Sequence, residues 1–236
     1  MMKKVFILKY IISFFTAIIV FPLFSQQEND STITKSIYGL KIGMDLSKQI
    51  RMLTEPDYKG LVLMGDYRLM DKLFVAFELG TEDKLIENEV LNFKTKGSFI
   101  KIGANYNVYK NLEDLENVIY VGLRRGTSNF DHKLNSFKVY NTNQYWNQNE
   151  IVNYEEFQNL NSTWFELIFG FKAEVINNTY LGISLRLKRL LDQNEPPNFS
   201  NLYIPGFNKV LENNNIGVGI TYSLQFRFPI YKKKKI

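Results

Sequence analysis

The chain has no cysteine and one histidine among 236 residues. That excludes a disulfide framework, thiolate metal ligation, lipid attachment at cysteine and a histidine-rich metal site. No G-x-S-x-G elbow, paired-carboxylate motif, glycine-rich phosphate cradle or internal repeat occurs. An excess of one charge is also missing from the body of the chain. The formal charge is +5, but setting aside Lys3, Lys4 and Lys9 leaves 26 basic against 24 acidic residues, a net +2. Setting aside Lys232, Lys233, Lys234 and Lys235 as well gives −2. A nucleic-acid partner needs a basic face on the domain, so none is expected.

One long hydrophobic run exists. Tyr10 to Phe24 follows the three early lysines and ends at Ser25, before Gln26. This reads as a signal peptide over residues 1–25 with cleavage between Ser25 and Gln26; as a spanning helix the run is near the short limit. The expected organisation is then a short periplasmic segment over 26–35, one domain over 36–231 and a basic periplasmic tail over 232–236.

What is present is alternation. From Ile216 to Phe228 every even position is bulky and apolar, and every odd one is glycine, small or polar. Side chains alternate across a strand, so the segment has one oily face and one polar or crowded face. Seven earlier stretches behave alike. Tyr38, Leu40, Ile42, Met44 and Leu46 oppose Gly39, Lys41, Gly43 and Asp45. Ile100, Ile102, Ala104, Tyr106 and Val108 oppose Lys101, Gly103, Asn105 and Asn107. Further examples run through 60–69, 73–80, 118–127, 165–175 and 181–188. The connections alternate too: 70–72, 110–117 and 176–178 are short, while 46–59, 82–96, 129–162 and 190–214 read as long loops. The pattern predicts an all-β, eight-stranded, antiparallel up-and-down transmembrane barrel, with both termini in the periplasm and long extracellular loops.

Two arguments put the oily face outside. About forty large apolar side chains exceed the narrow interior of eight strands. Most glycines occupy the opposite register, where on a solvated face each would cost about 0.5–1 kcal/mol without a packing return. A soluble, lipocalin-like periplasmic carrier, with apolar residues inside, is the alternative architecture.

The inward register then carries Glu78, Lys101, Arg124, Glu166, Lys172, Glu174, Arg186, Lys188 and Arg227. Buried charges persist when paired, so these are expected to fill the lumen as an ion-pair network, with Glu166 beside Arg186 and Lys188; the functional alternative is an ion or proton path. Arg125 falls in the lipid-facing register near the extracellular end of its strand. There it snorkels or meets lipopolysaccharide phosphates. His132 reads as an outer-loop histidine without a partner; a lipid-modifying enzyme using it is the catalytic alternative. Tyr140, Tyr145, Trp146, Tyr154 and Phe157, set among Asn and Gln, form either a partner-contact surface or a loop packed on itself. No catalytic residue, cofactor or metal is expected.

The opening Gly39-Leu40-Lys41-Ile42-Gly43, the segment Gly122-Leu123-Arg124-Arg125-Gly126 before a long loop, and the ending Phe24-Ser25-Gln26 resemble small outer-membrane β-barrel proteins of Bacteroidota. The particular likeness is to a family described only as a domain of unknown function. It implies an outer-membrane location in a Gram-negative cell, an eight-stranded barrel and no catalytic residues. The functional expectation is a non-enzymatic structural or interaction protein acting through its extracellular loops, for instance an accessory subunit of a protein-assembly or secretion complex. Its expected partners are outer-membrane lipid, lipopolysaccharide and another outer-membrane or surface protein.

Overall fold

The computed structural model describes residues 35–109, 117–138, 150–197, 200–210 and 215–234. Ser25, Gln26, Tyr140, Tyr145 and Trp146 lie outside the described residues, as does the side chain of Tyr154.

Eight strands close into an antiparallel barrel: β1 (Lys35–Asp45), β2 (Tyr58–Arg68), β3 (Leu73–Glu87), β4 (Leu91–Asn107), β5 (Val118–Lys138), β6 (Glu150–Ile176), β7 (Thr179–Gln193) and β10 (Ile216–Lys234). Each pairs with its chain neighbours, and β1 pairs with β10 to complete the ring. A helix, α1 (Leu46–Thr54), joins β1 to β2, and the β7–β10 connection carries a two-residue hairpin of β8 (Tyr203–Ile204) and β9 (Asn208–Lys209). At one end, turns such as Asn177-Asn178 are tight, Asn178 taking a φ of 63° that asparagine tolerates. At the other, the expected long loops are largely strand. The 82–96 segment is a hairpin with a turn over 88–90, β5 runs to Lys138, and β6 starts at Glu150. The 46–59 segment contains α1, whose first turn is capped by Asp45 accepting from the Ser47 N–H at 2.9 Å.

Lipid-facing and inward positions alternate as the period-two pattern requires. Ile100, Ile102, Leu123, Phe165, Phe169, Ile183, Leu185, Val218 and Ile220 are exposed on the outer wall, while Lys101, Arg124, Glu166 and Arg186 are buried inside. The wall is therefore apolar outside and polar inside, the arrangement of a transmembrane barrel. Glycine on the inner face makes room for large neighbours; a methyl at Gly126 would overlap the Trp164 ring.

Three places depart from the expected pattern. Tyr38 is buried rather than lipid-exposed: beside a bulge that leaves Ile230 of β10 unpaired, its ring stacks on Tyr231 and its hydroxyl donates to Asp71 at 2.9 Å. Leu46 belongs to α1 rather than to the first strand. Lys232 to Lys234 are strand, paired with Ile37 to Lys35, and so are not a tail beyond the barrel.

Candidate functional site

Above the apolar belt the polarity of the wall reverses along the same strands. On β5 the outward positions change from Leu123 and Arg125 to Asn129 and Asp131. The inward ones change from Arg124 to Phe130, His132 and Leu134. Phe130, Leu160, Trp164, Leu190, Val62 and Phe99 form a core beneath the β8–β9 loop, whose Ile204 and Phe207 are fully buried in it. Gly206, at φ 81°, lets that loop turn tightly over the Phe99 ring. The mouth is plugged by its own chain.

Below this plug lies the charge cluster. Arg186 Nη1 lies 2.8 Å from Glu78 Oε2 and 3.1 Å from Glu166 Oε2. Lys101 Nζ lies 2.8 Å from Glu166 Oε1 and 3.6 Å from Glu78. Trp164 donates to Glu166 Oε1 at 2.8 Å. Arg124 donates to the Asn105 side chain at 2.7 Å and to two backbone carbonyls, with Glu78 3.9 Å away. Lys172 grips Asp66 through both carboxylate oxygens, and Arg227 meets Glu174 at 3.2 Å near the tight-turn end. Lys188 lies opposite Glu166 in the β6–β7 register, as expected, but turns its ammonium upward. Its ammonium donates to the Gly206 and Phe207 carbonyls at 2.8 and 3.1 Å, pinning the plug loop from below. The recess among Asp66, Glu78, Lys172 and Arg186 holds about 10 Å³, no more than one water.

A second cluster, unforeseen from the sequence, centres on Glu82. Lys48 and Tyr58 reach one oxygen at 2.6 and 3.0 Å, while Tyr203 and the Gly206 N–H reach the other at 2.6 and 3.1 Å. Burial alone would raise this carboxyl; the Lys48 charge and the four donors outweigh it and hold it at about 2. The same geometry, led by burial, pushes the Tyr203 hydroxyl well above its ordinary range. The sequence signal was available: Glu78, Gly80 and Glu82 share the inward parity of β3, which runs on past the expected strand end.

His132 sits in β5 and not in a partnerless loop. It is 1% exposed, between the Phe93 and Phe130 rings. Nδ1 pairs with Thr95 Oγ1 and Nε2 with Asn201 Oδ1, both at 2.9 Å. Because Asn201 Oδ1 only accepts, Nε2 carries the proton and Nδ1 accepts from the threonine hydroxyl. Burial dominates and lowers its pKa to about 4. Both nitrogens are engaged, which leaves no free base to face a substrate.

Phe157 packs against the upper core and does not present itself to a partner. A bulge at Asn159 (φ 60°), whose N–H donates to Asp131 at 2.9 Å, adds a residue to β6 and turns Phe157 inward. The outer wall offers two other features. Arg125, Phe165 and Arg189 form one exposed row across β5, β6 and β7 at the upper edge of the belt. A recess of about 570 Å³ lies outside the wall between Met52 and Leu61, Lys59, Asp83 and Lys96. Among the described residues no group of three or more His, Cys, Asp or Glu is placed to hold a metal ion.

A family model described as "Domain of unknown function (DUF6048)" matches residues 7–233. Solved structures similar to the chain include Ail, the attachment invasion locus protein of Yersinia pestis. It is 10% identical, with 83% of this chain and 99% of that chain covered and a TM-score of 0.40. They also include neisserial surface protein A, 11% identical, with 82% and 99% covered and a TM-score of 0.40. No curated protein matches the chain.

Proposed function

The chain belongs to the DUF6048 family, and from that premise we propose that it is a non-enzymatic, non-conducting outer-membrane protein that works through contacts made by its outer hairpins. The observation that carries this reading is the filled interior. Charges occupy the belt level, and Phe207, Ile204 and Trp164 close the mouth, so an ion path or a carried ligand has no volume to use. An apolar outer wall argues against a soluble carrier, since those side chains would lie in water. The proposal includes residues 1–25 as a cleaved signal and the long hairpins on the extracellular side.

What remains available for contact is the outer surface. The paired hairpins β3–β4 and β5–β6 rise beyond the belt and present polar faces with Asp131 and the Lys133–Glu156 pair. These suit a protein partner, such as another subunit of an assembly or secretion complex. The Arg125–Phe165–Arg189 row suits lipid or lipopolysaccharide phosphates, because no carboxylate lies in that row and the row below is apolar. In planar bilayers the purified protein is expected to show no conductance. Crosslinking from the outer hairpins in native membranes is expected to capture one recurring protein. Stable channels, or a chain recovered alone from every crosslinking site, would refute the reading.

A further inference from the structure

The barrel wall has a gap at the top of its apolar belt. Strand β1 ends at Asp45, opposite Ser223 of β10. Beyond that point β10 continues upward from Tyr222 to Ile216 with β7 as its ladder partner, and β2 runs from Tyr58 to Val62 with β3 as its own. Among the described residues nothing extends the sheet between those two edges. The slot is two strand spacings wide, about 10 Å, which is about the diameter of an α-helix with its side chains. Helix α1 packs against both β2 and β10.

The polarity of α1 is inside out. Lys48 reaches inward to Glu82, and Arg51 lies over the Tyr58 ring at 4.0 Å and donates to Tyr203 at 3.3 Å. Its apolar side chains Ile50 and Leu53 point away from the barrel, Leu53 at 87% exposure. A helix over water would turn the other way.

Building on the transmembrane reading, we propose that α1 is a lipid-embedded segment of the wall. It takes the place of the missing upper part of β1 and sets Ile50 and Leu53 in the acyl region at the top of the belt. Three observations favour lipid as the occupant of that face. The apolar belt is continuous across it, from Leu61 and Leu63 on β2 through α1 to Val218 and Ile220 on β10, all exposed. On β1 the outward apolar positions stop at Met44, opposite Leu63, whereas the belt continues upward to Leu61 on β2 and to Ile216 on β10. A helix satisfies its own backbone, so it is the element able to fill a hole in a sheet where water is absent.

The absence of cysteine makes the test direct. Leu53→Cys, Leu123→Cys in the belt and Glu156→Cys on the outer hairpin are each reconstituted in lipid nanodiscs and treated with a charged, membrane-impermeant maleimide. The expected result is labelling of Glu156→Cys and loss of labelling at both Leu53→Cys and Leu123→Cys. A nitroxide on Leu53→Cys should collide with oxygen and be shielded from a nickel chelate. Labelling of Leu53→Cys with Leu123→Cys protected would place α1 in water and overturn the inference alone. Labelling of both would overturn the membrane reading and the inference with it.

Discussion

The lower and upper halves of this barrel solve opposite burial problems with one set of strands. At the belt, hydrocarbon lies outside, so Leu123, Phe165 and Leu185 face out while Glu78, Glu166, Lys101 and Arg186 neutralise one another inside. Above it, water lies outside, so Asn129, Asp131 and Lys96 face out and Phe130, Leu160, Phe93 and Leu190 fill the middle. The crossover falls within a few residues of Arg125 on β5. The lesson is that strand parity fixes which residues share a face, while the solvent at each height decides which face is apolar.

The comparison is broken most strongly in the lower half. Glu166→Leu removes the carboxylate that Lys101, Arg186 and Trp164 share, leaving two buried cations on Glu78 alone. A loss of about 3–5 kcal/mol is expected, read as a lower urea midpoint for refolding into vesicles. Unchanged stability would mean water enters the lumen. In the upper half, Phe130→Ala should cost about 3 kcal/mol by opening a cavity under the plug loop, with faster proteolysis of residues 200–210. An equal loss of proteolytic resistance in the belt strands would show that the halves unfold together.

Acid should separate the halves further. His132 is held neutral in the fold at a pKa of about 4 against 6.5 when unfolded, so between those values the unfolded chain binds more protons. Stability from this site is present above pH 6.5 and falls as pH drops towards 4, by about 2–3 kcal/mol. Replacing the ring in His132→Phe should flatten urea-midpoint curves in that window; a slope that survives would assign it to another group. Glu82 titrates lower: its stability contribution is present above 4.5 and is lost as pH falls towards 2. The smallest effect belongs to the boundary itself. Arg125→Ala should alter stability by no more than about 1 kcal/mol and only in anionic lipid. A larger effect in zwitterionic lipid would contradict its place at the belt's upper edge.

Much of this was legible in the chain. The alternation through Ile216 to Phe228 and Ile100 to Val108 is local, and it specifies strands, their faces and a closed wall. Strand ends were not legible above the belt, because β5 beyond Thr127 keeps parity while exchanging polarity, which looks like a loop. His132 and Phe157 were misplaced for that reason. The burial of Tyr38 was not legible because Asp71 and Tyr231, which cover it, lie 33 and 193 residues away in the chain.

The sequence by itself determined a cysteine-free, eight-strand wall, oily on one register and charged on the other, because side-chain direction repeats every two residues. Only the tertiary structure decided the partners: Arg186 with Glu78 across 108 residues, Tyr203 with Glu82 across 121, and Lys188 with the plug loop instead of Glu166. Those choices depend on strand stagger and on where the β7–β10 connection folds back. Both are set by closure of the ring and not by any local stretch of chain.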